Sequence, residues 1–291
     1  MINKSIIQTI GNTPLLKIGK IFAKLETANP SGSVKDRMAK YMIAQAELRK
    51  ELTPGQQIIE LTTGNTGIAF ALVAAIKGYN FTALMPKSMS SERKQMMEAF
   101  GAEVVFTPDN MTEALTFYNN YVKQHPNAWL PKQFENPDNL EAHRLGLGME
   151  IIKQIPEVDA FVAGVGTGGT LLGVAKALKA HNPKIKIIAV EPAESAVLSG
   201  KQPGEHGIQG IGEGFIPKIV QDNLSLIDQV VQVSTTDSIA MSKQLAKQGI
   251  LAGISSGTNM AAALTVQDKY KNIVTVLPDR GERYLSNNLY R

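Results

Sequence analysis

One lysine, at the end of a run of small residues, gives this chain its chemistry. In Pro30-Ser31-Gly32-Ser33-Val34-Lys35-Asp36-Arg37 the Ser/Gly approach leaves space beside the Lys35 amine for a planar ligand, and the polar residues after it begin a helical pattern. Such an amine can form an imine with a carbonyl compound and, once released, serve as a base. On its own Lys35 reads as a solvated surface lysine. Two glycine-rich turns change that reading: Thr62-Thr63-Gly64-Asn65-Thr66-Gly67 and Gly164-Val165-Gly166-Thr167-Gly168-Gly169-Thr170 each follow an apolar run and precede a helical one. The second suits an anion, because its glycines let backbone N–H groups converge at a helix start and the Thr167 and Thr170 hydroxyls add donors. Gly164, Gly166 and Gly169 also satisfy G-x-G-x-x-G, with Glu191 at the end of the next strand, so a dinucleotide site stays open here. The first turn offers hydroxyls and the Asn65 amide as a cup for a carboxylate, or an ordinary capped helix start.

The elements that must position these turns alternate along the chain. Short apolar, β-branched runs at 58–61, 81–85, 103–106, 160–163, 185–190 and 273–277 predict strands, and amphipathic stretches at 91–100 and 238–248 predict helices. Continuously apolar strands suit a sheet covered by helices on both faces, and strand–helix alternation predicts an α/β fold with parallel sheets. At 291 residues two domains are expected. The turn at Asn136-Pro137-Asp138-Asn139 is a natural place to pass from one unit to the next.

Composition removes other classes. Hydrophobic residues make up 43% and charged ones 19%, which fits a globular protein rather than a disordered one. The net charge of +4 comes from scattered lysines, so no nucleic-acid footprint is expected. There is no cysteine, and the 4 histidines stand far apart, so thiolate chemistry is excluded and no metal site is expected. The start, Met1 to Ile7, lacks a signal-peptide core, and Ile68 to Ile76 is too short to span a bilayer; a cytoplasmic protein is expected.

Taken together, the lysine loop and the two glycine turns resemble the pyridoxal-phosphate (PLP) β-replacement enzymes of the cysteine synthase family. The likeness runs from Ile10-Gly11-Asn12-Thr13-Pro14-Leu15 to Arg283-Tyr284-Leu285-Ser286, nearly the whole chain. It implies the fold-type II architecture, tryptophan synthase β-like: two open, twisted, parallel-rich sheets flanked by helices, with PLP in the interdomain cleft. Residues 1–12 with 35–136 would form the smaller domain, and 13–34 with 137–291 the larger. It further implies that Lys35 holds the cofactor and moves the substrate α-proton. Gly166, Thr167, Gly168, Gly169 and Thr170 would cradle the phosphate. Thr62, Thr63, Gly64, Asn65 and Thr66 would bind the α-carboxylate, with Asn65 also meeting the ring 3′-oxygen, and Gln133 would assist. Without the resemblance, Gln133 reads as an exposed strand-end amide and Gly253-Ile254-Ser255-Ser256-Gly257 as a capping turn. With it, Ser255 faces the pyridine nitrogen; a neutral hydroxyl there leaves the ring a weaker electron sink, which favours loss of a β-leaving group over transamination. The loop from Gln209 to Pro217, with Gly210, frames the entrance, and Ser88 to Arg93 belongs to a mobile subdomain that closes on substrate.

The implied reaction is O-acetylserine plus sulfide to L-cysteine plus acetate, through an α-aminoacrylate. The alternative is a cystathionine β-synthase-like or cysteine-desulfurating exchange with an amino thiol, and a remote one is a nicotinamide oxidoreductase. A homodimer and docking of a serine acetyltransferase C-terminal tail are further implications. Three departures matter. Glu213 replaces the alanine common in sulfide users, where it would either grip an ammonium group or lie idle on the rim. His143 to Glu150 replaces the usual Thr-Thr-Gly-Pro-Glu stretch. Asp109 to Asn120 lacks the usual Gly-Met-Lys-Gly-Ala run, and no haem segment or regulatory extension is recognised.

Overall fold

In the computed structural model, which describes residues 3–287, 289 and 290, two sheets carry the chain. The ends of the expected domain segments at residues 1, 2 and 291 lie outside the described residues, as does the start of the N-terminal stretch.

In chain order the elements are β1 (Leu15–Ile18), β2 (Ile21–Leu25), α1 (Lys35–Leu48), β3 (Gln57–Leu61), α2 (Asn65–Lys77), β4 (Asn80–Pro86), α3 (Ser91–Ala99), β5 (Glu103–Thr107) and α4 (Met111–Lys123). Then come α5 (Pro137–His143), α6 (Met149–Gln154), β6 (Ala160–Gly164), α7 (Gly169–His181), β7 (Lys186–Pro192), α8 (Lys218–Gln221), β8 (Gln229–Val233), α9 (Thr235–Lys247), α10 (Ile254–Thr265) and β9 (Ile273–Leu277).

The larger sheet has 6 strands in the order β1-β2-β9-β6-β7-β8, and the smaller has 3, β3-β4-β5. Only the β1–β2 pair is antiparallel; every other pair is parallel. β1 and β2 come early in the chain yet join the larger sheet beside β9, in register Ile21↔Ile273 to Leu25↔Leu277.

The apolar runs form strands because both of their faces are covered. Along β6, Phe161 and Ala163 pack with Leu171, Leu172 and Val174 of α7, while Ala160 and Val162 pack with Met260, Ala262 and Ala263 of α10. In the smaller sheet Ile58 faces α1 and α2 through Met42 and Phe70, and Ile59 and Leu61 face Ala114 of α4. Period-two alternation thus divides each strand between two cores.

Turn chemistry sets the boundaries. Asn136 does not merely end a unit: its side chain accepts from Asp138 N, and Pro137 takes the first helical position, so this turn opens α5. From there the backbone stays helical to Gln154 through a π turn at Arg144–Gly148, where the sequence departs from the family stretch. Ser234 caps α9 by accepting from Asp237 N, which starts that helix three residues before the apolar periodicity does. Strands β1, β2 and β8 were not expected from the sequence pattern.

Candidate active site

The C-terminal ends of β3, β6 and β9 and the starts of α1, α2, α7 and α10 converge on one cleft of about 990 Å³, open space at its mouth included. Of the cofactor- and substrate-binding residues that the resemblance implies, all but Gly64 and Gly169 line it; those two stand behind the lining, packed against Arg93 and Asn139.

Lys35 is the first residue of α1, and the loop before it is braced to the end of β9. Val34 N donates to Pro278 O (2.8 Å), Arg280 N donates to Gly32 O (3.0 Å), and Arg283 donates to Ser31 O (2.7 Å). Gly32 has φ +83°, and a Cβ there would stand 2.9 Å from Arg280 and Arg283 atoms, so only glycine fits this turn. The Lys35 backbone N–H reaches Ser33 Oγ (3.3 Å), while its amine makes no hydrogen bond to a described residue. Burial draws the amine down to about 8, with the Glu213 and Glu60 carboxylates acting against that. Glu60, at the end of β3, is itself pushed up to about 8 by burial, opposed by the N–H groups of Lys132 and Gln133 and by Lys35. A surface lysine this is not.

The β6–α7 turn has the makings of an anion cradle. The N–H groups of Gly166, Thr167 and Gly168 have no acceptor among the described residues, and Gly168 adopts φ +87° as α7 begins. A Cβ on Gly166 would stand 2.5 Å from Gly210 O, so the loop is closely backed by the 209–217 segment. Thr167 Oγ1 accepts from Asn139 Nδ2 (2.9 Å) and Gly169 N (3.4 Å), which leaves its own hydroxyl proton to point at a ligand. Thr170 Oγ1 lies 3.3 Å from His143 Nε2. Burial, then the charges of Lys35 and Arg37, push the His143 imidazole well below its usual range, so a neutral ring stands behind the cradle. These unpaired donors at a helix start, facing a secluded amine, fit a phosphate-bearing aldehyde such as PLP.

Glu191 does not serve a dinucleotide. It is 2% exposed, outside the cleft, and accepts from Leu198 N (2.7 Å), Ser199 N (3.2 Å) and Ser199 Oγ.

The β3–α2 turn is a neutral cup. Thr62 Oγ1 accepts from Gly64 N and Gly67 N, both at 3.0 Å, so this threonine caps α2 as well as lining the cleft. Thr66 Oγ1 donates to Gln133 Oε1 (2.7 Å), and Gln133 Nε2 donates to Leu61 O (3.0 Å). Gln133 is 4% exposed, a correction to the exposed-amide reading. Asn65 Nδ2 donates to Asp279 Oδ2 (2.8 Å) and its Oδ1 accepts from Arg283, so its amide is oriented by the C-terminal segment. Ser255, the second residue of α10, is 5% exposed and lines the cleft without a protein hydrogen-bond partner for its hydroxyl among the described residues. Glu213 lines the cleft and is half-buried rather than rim-exposed; burial raises its carboxyl, opposed by Lys35 and His206.

Sequence reasoning placed Arg93 only within the Ser88–Arg93 segment expected to close on substrate, and missed Phe134 and Asn259 of the lining. Asn259 fixes the end of β6 by accepting from Gly164 N (2.7 Å) and donating to Val276 O (2.9 Å). Among the described residues no metal-binding cluster occurs, and no helix is long and apolar enough to cross a membrane.

This chain belongs to the pyridoxal-phosphate dependent enzyme family, whose model matches residues 6–279, and PLP is its cofactor. It is 46% identical over 302 residues to a cysteine synthase of Staphylococcus aureus, covering 98% of this chain and 96% of that one. The cysteine synthase structure from Entamoeba histolytica superposes with a TM-score of 0.94 at 41% identity, covering 100% of this chain and 91% of that one. An O-acetylserine-dependent cystathionine β-synthase from Helicobacter pylori superposes at 0.95 with 38% identity and full coverage of both chains.

Proposed function

We propose that the protein catalyses β-replacement on an activated L-serine, making L-cysteine from O-acetyl-L-serine and sulfide. The observation that carries this reading is the convergence, in one cleft, of a secluded amine, a cradle of unpaired N–H donors and a neutral carboxylate cup. The likeness to cysteine synthases over nearly the whole chain supports it.

The cofactor, when bound, supplies a conjugated ring that spreads negative charge from the substrate α-carbon. The chain supplies the rest. The N–H groups of residues 166–168 and the Thr167 and Thr170 hydroxyls would hold the cofactor's phosphate, and the Ser255 hydroxyl would serve its ring nitrogen. The Thr62–Thr66 turn and Gln133 orient the α-carboxylate. Lys35, its amine drawn to about 8 by burial, takes the α-proton near neutral pH and returns one after sulfide has replaced acetate at the β-carbon. Phe134 lines the cleft and packs on Phe215, ring centroids 5.4 Å apart.

Glu213 favours a second reading, in which an amino thiol such as homocysteine or cysteine is the nucleophile. Its carboxyl lies inside the cleft, where it can accept an ammonium group but repels hydrosulfide. Rates with sulfide and with homocysteine decide: cysteine synthase activity predicts faster turnover with sulfide. Glu213→Ala should then leave the sulfide rate within about threefold, whereas a loss confined to homocysteine, on the order of tenfold, would make the amino thiol the true partner.

The same reading divides the chain into residues 1–12 with 35–136 and residues 13–34 with 137–291, as the membership of the two sheets supports. It also makes the protein a cytoplasmic homodimer, with the apolar Leu145 and Met149 exposed on the α5–α6 run as part of the interface. A serine acetyltransferase tail would enter the cleft by presenting its terminal carboxylate to the Thr62–Thr66 cup.

A further inference from the structure

Arg93 carries a charge that nothing around it balances. It is 2% exposed, lines the cleft, and makes no ion pair among the described residues. Nη1 donates to Ser90 Oγ (3.0 Å), the guanidinium lies 4.7 Å over the Tyr284 ring, and Nε has no hydrogen-bond partner among the described residues. A buried cation in this state is costly unless an anion joins it.

Its position says which anion. Arg93 Cδ and Nε lie 2.1 and 2.4 Å from where a Cβ on Gly64 would stand, so the side chain packs against the Thr62–Thr66 turn, where only glycine leaves it room, and lines the same cleft as that turn. The cup itself consists of neutral hydroxyls and amides: Thr62 accepts from Gly64 N and Gly67 N, Thr66 donates to Gln133, and Gln133 donates to Leu61 O, so none of them brings a positive charge. The helix that bears Arg93 is held in place from outside. Ser90 Oγ donates to Arg283 O (2.9 Å), and Glu92 accepts from Ser286 N (2.8 Å) and Ser286 Oγ (2.7 Å).

We propose that Arg93 is a specificity-determining residue, the counter-ion of the substrate α-carboxylate held at the Thr62–Thr66 turn. It selects free amino acids over their amides and esters. This rests on the proposed amino-acid chemistry of the cleft, but not on the choice of nucleophile.

The test titrates the PLP-loaded enzyme with glycine and with glycinamide, which share an amine and differ in the carboxylate. Neither undergoes β-replacement, and binding is read from the cofactor's absorbance. The native enzyme should bind glycine more tightly, and Arg93→Met should shrink that preference by at least about tenfold, through weaker glycine binding. Arg93→Lys keeps the charge but loses the planar fork, so it should retain most of the preference and covers the case in which the methionine variant fails to fold. A preference that survives in Arg93→Met, or equal weakening of both ligands, overturns the assignment and makes Arg93 structural. Absence of sulfide turnover with an intact, Arg93-dependent preference would instead overturn the cysteine synthase reading alone.

Discussion

The two sides of the cleft are built on opposite plans. On the phosphate side, the β6–α7 turn offers backbone N–H groups with no internal acceptor, and close packing against Gly210 O and Asn139 holds it still. On the substrate side, the β3–α2 turn is bonded within itself, Thr62 accepting from Gly64 N and Gly67 N and Thr66 donating to Gln133, and the Arg93 side chain packs against it from α3. The difference suits the ligands. A resident group rewards a rigid, unsatisfied cradle that only it completes, whereas a passing substrate is better met by a cup that remains stable when empty.

Breaking the rigid side should have the larger effect. Gly166→Ala drives a Cβ to 2.5 Å from Gly210 O, and overpacking of this kind lowers affinity for PLP by about tenfold or more. Equilibrium dialysis against the cofactor measures it, and unchanged retention would mean the cradle is softer than described. Thr66→Val sharpens the other half of the contrast. It removes the 2.7 Å bond to Gln133, so KM for the amino-acid substrate should rise by roughly tenfold while cofactor retention holds. A parallel loss of cofactor would erase the division between the two sides.

The smallest effect concerns what stands behind Lys35. Arg37 donates to Glu26 (2.6 and 2.9 Å) and to Glu150 (2.6 and 2.8 Å), and Lys24 pairs with Glu150 at 2.8 Å, tying α1 to the larger sheet. Burial pushes the Glu150 carboxyl up, but Arg37 and Lys24 outweigh it and hold the group at about 2 instead of 4.5. A carboxyl with a depressed value stabilises the folded state above the unfolded value and loses that contribution as pH falls through the folded one. Acid unfolding followed between pH 4.5 and 2 should therefore be steeper in the native protein than in Glu150→Gln; identical curves would remove Glu150 from the acid response.

Six strands were legible because short runs dominated by apolar, β-branched residues mark them even where a polar residue such as Glu60 or Lys186 intervenes. β2 was not, since Lys24 interrupts it: that lysine is 0% exposed, and its pairing with Glu150 is a tertiary fact. β1 is half exposed, and β8 carries glutamines at its first and fourth positions, so neither shows an apolar run. The glycine turns and Lys35 could be read because each motif is local. What escaped depends on residues far apart in sequence. Asn65 is oriented by Asp279 across 214 positions and by Arg283 across 218, and Arg93 matters only because α3 folds over Gly64. The depth of the Glu213 carboxyl, which pattern alone left between gripping and idle, likewise needed the fold.

The most direct test is where the cofactor is attached. Borohydride reduction of the PLP-loaded enzyme, followed by peptide mass mapping, should place the reduced adduct on Lys35 and find none in Lys35→Ala. An adduct on any other lysine, or none in fully loaded native protein, would contradict the account at its centre.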